Sequence, residues 1–197
     1  MRPLLLFLSL AFASQCNHSY SARSKAPDPE RLRLRAKAGE QAVYLSRHGF
    51  NPSICFMVDM QLPSGKNRFF VYDLRRDSVL EAGLVAHGSG GSRFSARPVF
   101  SNVDGSGCTS LGRYRVGYKY QGQFGLAFKL YGLDTSNSRA FERNVVLHSW
   151  SGVPEHETDP TPICNSLGCP MVSPGFLQTL QPLIEHSGKP ICLLVFD

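Results

Sequence analysis

No apolar run after residue 13 approaches the length of a membrane span, so nothing beyond the N-terminus is expected to cross a bilayer. Internal repeats are absent, which removes solenoids and propellers from consideration. Charged residues are few, at 18%, against 42% hydrophobic, a balance too apolar for a disordered chain. The 197 residues suit one globular domain and are too few for two full ones. The glycine-rich stretch His87-Gly88-Ser89-Gly90-Gly91 has no Gly-Lys-Ser/Thr after it, so it reads as a flexible turn rather than a phosphate loop. Neither a cofactor nor a nucleic-acid partner is expected. The net charge of +6 favours anionic polymers, although its simplest role is solubility.

The N-terminus has the layout of a secretory leader. Met1-Arg2-Pro3 is a positive start, Leu4 to Phe12 is apolar, and Ala11-Phe12-Ala13 is a small-x-small cleavage site. Residues 1–13 are therefore expected to be a signal peptide and 14–27, polar and serine-bearing, a tether. The mature protein would work outside the cytoplasm. A lipid anchor at Cys16 is the alternative processing route, but Gln15 stands where lipoprotein cleavage wants a small residue.

Export permits disulfides, and there are six cysteines, at 16, 55, 108, 164, 169 and 192. If Cys169 must stay a free thiol, the other five cannot all pair internally. Lipidation of Cys16 would leave four, enough for two bridges; buried free thiols would pack equally well. The connectivity stays open.

Asp28-Pro29-Glu30 predicts a helix start, with Asp28 as cap and Pro29 at the first helical position. The helix should run through Leu32, Ala36, Ala42, Val43 and Leu45, with Gly39 a candidate break and Gly49 its end. Residues 28–50 form this helical appendage. From residue 51 to 197 short β-branched and aromatic runs alternate with turn clusters, which predicts a mainly β sandwich or barrel. Strands are expected over 54–60, 68–74, 78–87, 112–119, 126–131, 144–149 and 190–196. A covering helix should begin at Pro174, carry Phe176, Leu177, Leu180, Leu183 and Ile184 as its apolar stripe, and be interrupted by Pro182.

The dense chemistry lies between Asn144 and Val172. Val145-Val146-Leu147 is a buried-strand run that delivers His148 at its end, followed by Ser149 and Trp150. A loop rich in Pro and charge returns to Ser166-Leu167-Gly168-Cys169-Pro170. A thiol attacks only as thiolate, so it needs a neighbour to take its proton, and a His fixed at a strand end can do so. Gly168 allows a tight turn and leaves room for a carbonyl near the amides of Gly168 and Cys169, an oxyanion site.

The pairing of His148 with Ser166-x-Gly168-Cys169 resembles the L,D-transpeptidase signature. The Ser-x-Gly-Cys-Pro ending is similar to the murein L,D-transpeptidase catalytic-domain branch. The likeness covers about residues 50 to 197. It includes Pro63-Ser64-Gly65-Lys66, Val85-Ala86-His87-Gly88, Phe100-Ser101-Asn102, Thr109-Ser110-Leu111-Gly112 and Arg143-Asn144-Val145-Val146-Leu147-His148. It implies a mostly β catalytic fold and peptidoglycan stem peptides as donor and acceptor. Cys169 would attack the carbonyl of the third stem residue, and His148 would take its proton. The backbone carbonyl of Ser149 would orient the imidazole, and Ser166 would support the cysteine loop. Arg143 and His87 could line the cleft, and Trp150 is a further cleft candidate. Leu167, Ser149 and Met171 depart from the His, Gly and Asn or Arg that many members carry at these places.

Two other classes compete. The same site could hand its acyl group to water, making a carboxypeptidase. Alternatively the chain is a non-catalytic wall-binding module, with Cys169 a half-cystine paired to Cys164, or with His148, His156, Cys164 and Cys169 holding zinc. The aromatics of Arg113 to Tyr131 are expected to pack in the sheet.

Overall fold

The computed structural model describes residues 28–197. The expected leader, tether and Cys16 lie outside the described residues. Helix α1 (Pro29–Arg47) starts as its cap predicts: the Asp28 carboxylate accepts the Glu30 N–H at 3.1 Å, and Pro29 loses no bond at the first position. Gly39 does not break the helix, because α1 lies against the sheet and that packing outweighs one poor helix former. The buried stripe is Leu34, Ala38, Gln41 and Leu45, not the set expected; Leu32 and Val43 are about half exposed. Spacing alone left the buried face ambiguous, and the sheet selects it.

Nine strands follow: β1 (Ile54–Asp59), β2 (Phe69–Asp73), β3 (Ser78–Gly83), β4 (Val85–Ala86), β5 (Gly112–Gly122), β6 (Gly125–Gly132), β7 (Val146–Ser149), β8 (Met171–Val172) and β9 (Cys192–Phe196). They form one sheet in the order β3-β2-β1-β9-β5-β6-β7-β8-β4. Its two edges, β3 and β4, are separated by Leu84 alone, so the sheet must curl until those edges meet. The fold is mainly β, a nearly closed barrel with one N-terminal helix and one later helix. The single strand expected over 78–87 is thus two strands on opposite edges. Two-residue β8 went unforeseen, being too short to show a period. Helix α2 (Pro174–Glu185) is capped by Ser173, whose hydroxyl accepts the Phe176 N–H at 3.2 Å. It continues through Pro182, which sits in the last turn, so the bond its missing N–H forfeits falls at the helix end rather than in mid-helix.

Alternation along the central strands splits the core in two. Phe56 and Val58 of β1 point into the barrel with Tyr114, Phe128, Leu147, Leu193 and the α2 residues Phe176 and Leu180. Cys55 and Met57 point outward and are covered, with Phe70, Cys192 and Leu194, by Leu34, Ala38 and Leu45 of α1. Burial on both faces explains why β1 and β9 read as continuous apolar runs rather than alternating ones. A third cluster (Leu84, Ala86, Val153, Ile163, Met171) lies under the loop after β7. Among the described residues, no helix is long and apolar enough to cross a membrane.

Candidate active site

Leu147 faces the barrel core, so its neighbours Val146 and His148 face outward, and the site lies on the outer surface of β6, β7 and β8. His148 sits opposite Ala127 on β6 and opposite Met171 on β8. Its Nδ1 lies 3.1 Å from the Ser149 carbonyl oxygen. That contact selects the tautomer with hydrogen on Nδ1 and leaves Nε2 with its lone pair, and Nε2 makes no hydrogen bond among the described residues. Phe124 stacks on the imidazole with ring centres 5.2 Å apart and meets Trp150 edge-on at 5.5 Å.

The cysteine loop is built around Ser166. Its hydroxyl accepts the Gly168 N–H at 3.1 Å and donates to the Cys169 carbonyl at 2.6 Å. The Ser166 main chain exchanges hydrogen bonds with His87 and Ser89, continuing β4 as a bridge between Gly88 and Ser166. Gly168 adopts φ +115°, and a Cβ there would stand 2.6 Å from the Cys108 carbonyl oxygen, so only glycine fits. The Gly168 amide is spent on Ser166, which corrects the expected pair of oxyanion donors and leaves the Cys169 amide.

Between His148 and Cys169 the chain travels outward and back, and it is tied down by the turn at Pro63-Ser64-Gly65-Lys66. Thr158 and Asp159 donate their N–H groups to the Gly65 carbonyl, and Ile163 donates to the Ser64 hydroxyl. Long insertions are fixed in this way at both ends. As a result His148 and Cys169 line one cleft of about 660 Å³, together with Phe94, Phe124, Trp150 and Leu167.

Cys169 is half-buried and unbridged; its Sγ lies 3.8 Å from the Asn144 carbonyl. Burial pushes its thiol above the ordinary value, while the Val146 amide and the cations Arg143 and Lys129 pull the other way. Burial lowers His148, opposed by its bond to Ser149. Both shifts favour the uncharged forms of the two groups.

Several expected roles change. His87 does not line the cleft: it is fully buried, accepting from the Arg68 guanidinium on Nδ1 at 2.8 Å and facing the Ser95 carbonyl with Nε2 at 3.1 Å. Burial first, and then Arg68, hold it at about 4. It is a neutral strut behind the cysteine loop. Arg143 does border the cleft, but its guanidinium is occupied by the Ser101 and Cys108 carbonyls and the Ser110 hydroxyl, so it pins that loop. Trp150 is 45% exposed at the cleft and not in the core. Cys164 is a free thiol facing the Gly152 carbonyl, not a partner of Cys169. Among the described residues no three His, Cys, Asp or Glu side chains gather around a point that could hold a metal, so His148, His156, Cys164 and Cys169 are not a zinc set. Met171 packs in the small cluster under the loop.

Sequence reasoning missed Phe124, Lys129 and Asn144. Phe124 had a signal: an aromatic in the two-residue turn between Gly122 and Gly125 has no packing reason to be there unless the hairpin tip reaches something. Tyr118, Tyr120 and Phe124 of that hairpin are exposed, contrary to the expected sheet packing.

Comparison with known proteins places this geometry. The chain is similar to the avibactam carbamoyl enzyme form of Ldtfm (15% identity, 74% of this chain and 49% of that one, TM-score 0.46). It is also similar to the helical cell shape determining protein Pgp2 of Campylobacter jejuni (10%, 85% and 55%, 0.44) and to an L,D-transpeptidase from Mycobacterium smegmatis (15%, 74% and 59%, 0.42). The chain spans about half the length of these structures. No curated protein sequence matches it. The family model for the L,D-transpeptidase catalytic domain matches residues 30–193, most of the chain and both sides of the cleft. The protein therefore belongs to the L,D-transpeptidase catalytic domain family.

Proposed function

We propose that the protein is an exported peptidoglycan L,D-transpeptidase with Cys169 as nucleophile and His148 as base. The observation that carries the reading is the shared cleft: an unbridged Cys169 lines it together with a His148 whose Nδ1 is committed to Ser149, leaving Nε2 for the thiol proton. Cys169 Sγ bonds to the carbonyl carbon of the third stem residue as its proton passes to His148 Nε2. The Cys169 amide donates to the oxygen that becomes negative. The tetrahedral adduct collapses, the C–N bond to the terminal D-alanine breaks, and His148 returns the proton to the leaving amine. The thioester is then attacked by an amine of a second stem, whose proton goes to His148. The C–S bond breaks and the thiol is restored. Water in place of the amine would give a carboxypeptidase.

Burial favours the uncharged forms of both groups, and proton transfer during attack suits a site that excludes water from the sulfur. The apolar rim of Phe94, Phe124, Trp150 and Leu167 would do this once a stem lies in the cleft. Residues 1–13 would direct export to the periplasm or envelope, with Cys16 lipidation the alternative. Residues 51–197 would carry the chemistry.

Intact mass after exposure to a carbapenem tests the reading. Wild type should gain one adduct and Cys169→Ala none; an unmodified wild type sinks it. Incubation with tetrapeptide stems then separates the two acceptors, cross-linked dimers marking transfer to an amine and free tripeptide marking transfer to water.

A further inference from the structure

Lys129 has no part in the mechanism above, yet the fold covers its side chain almost completely. It is 6% exposed, on the outward face of β6, opposite Val146 and two residues from the Ala127–His148 pair. A buried ammonium is retained only where something compensates its lost hydration. Its contacts are neutral: Asn144 Oδ1 at 3.0 Å and the face of Phe141 at 4.5 Å. Among the described residues no carboxylate lies within ion-pair distance of it. The counter-charge is missing from the resting state.

Asn144 shows where that counter-charge forms. Its backbone is held at φ +55°, and its carbonyl faces the Cys169 thiol while its side chain holds the lysine. One residue therefore grips the ammonium and the sulfur together. The other ionisable groups that act at this sulfur or line its cleft are Arg93 on the loop after β4, Arg143 before β7, His148 on β7, Tyr114 and Tyr120 on β5, and Cys164 on the preceding loop. Of the two cations that act on the sulfur itself, Arg143 already carries four oxygen contacts in the loop it pins, whereas Lys129 carries one, to Asn144.

We propose that Lys129 is a positioning residue whose buried ammonium, fixed by Asn144 and Phe141, stabilises negative charge on Cys169 Sγ and so assists both attack and thioester breakdown. The inference rests on Cys169 being the nucleophile. The mutual influence of the two groups, each favouring the other's charged form, agrees with it.

The test is the pH profile of Cys169 alkylation by iodoacetamide, which is neutral and reads the thiolate without needing turnover. Lys129→Met should move the midpoint to higher pH and slow alkylation at neutral pH by about three- to tenfold, the range for a cation acting on a thiolate in a partly screened site. Lys129→Arg should restore most of the rate. A folded Lys129→Met with the wild-type midpoint overturns the proposal. Should that variant not fold, wild type decides alone. Capping Cys169 with a neutral group must lower the titration midpoint of Lys129, followed by NMR of its labelled ε-carbon, because coupling is reciprocal. An unmoved Lys129 overturns the proposal equally. A wild type that alkylates normally but forms no acyl adduct would instead refute the enzyme reading, so the two failures are distinguishable.

Discussion

Replacing Gly168 by alanine is the sharpest probe of how the cysteine loop is held. The residue sits at φ +115°, a conformation L side chains rarely adopt, and its new Cβ would lie 2.6 Å from the Cys108 carbonyl oxygen. That oxygen cannot retreat easily, since Arg143 Nη2 holds it at 2.7 Å. Gly105→Ala isolates the conformational part: it has φ +71° and nothing within 4 Å of an added Cβ. Gly105→Ala should cost about 1 kcal/mol. Gly168→Ala adds backbone overlap and should reach about 3–5 kcal/mol, in the range of severe single substitutions. At roughly 2–4 °C per kcal/mol for a domain of this size, the melting temperature should fall by about 2–4 °C for the first and at least about 6 °C for the second. Relief of the overlap moves the Ser166–Cys169 loop, so carbapenem acylation should drop along with stability in Gly168→Ala and stay normal in Gly105→Ala. Differential scanning fluorimetry and acylation kinetics on both proteins provide the assay. A Gly168→Ala protein that melts with Gly105→Ala and acylates at the wild-type rate would refute the account of the loop.

Two further outcomes follow from the same structure. Burial holds His148 below its ordinary value of 6.5, so its neutral, proton-accepting form persists as pH falls, and the acid limb of acylation should have its midpoint below 6.5; a limb at or above that value contradicts the burial of the ring. Gly39 is exposed in the middle of α1 with nothing within 4 Å of an added Cβ, so Gly39→Ala should stabilise by about 0.5–1 kcal/mol. A lowered melting temperature in that variant would show that α1 is strained there.

Much of the site was legible because it is written in short windows. His148 ends a β-branched run, and Cys169 follows a serine and a glycine whose backbone roles can be named in advance. The Asp28 cap, the helix start at Pro174 and most strand runs are local too, and the structure reproduces these closely, while the run over 78–87 divides in two and β5 extends to Gly122. What misled was partnership. His87 carries the residue type of a cleft group, but Arg68 and Asn165 close around it from distant segments. Arg143 precedes the His148 strand as an unattached cation would, and only the folded loop 101–110 shows how its donors are used. Lys129 stands between Phe128 and Leu130 as an ordinary solvent-facing alternation, with no hint that its side would be covered.

From its sequence this protein's helix starts, most of its strands and the two motifs that carry His148 and Cys169 were already legible, since periodicity, capping and motif spacing act between residues a few positions apart. Tertiary structure alone decided that β3 and β4 close the barrel and that the Gly168 amide is occupied. It also decided that Asn144 holds the Lys129 ammonium with its side chain while its carbonyl faces the Cys169 thiol. Those outcomes depend on which distant strands pair and which groups lose their water, and a linear pattern carries neither.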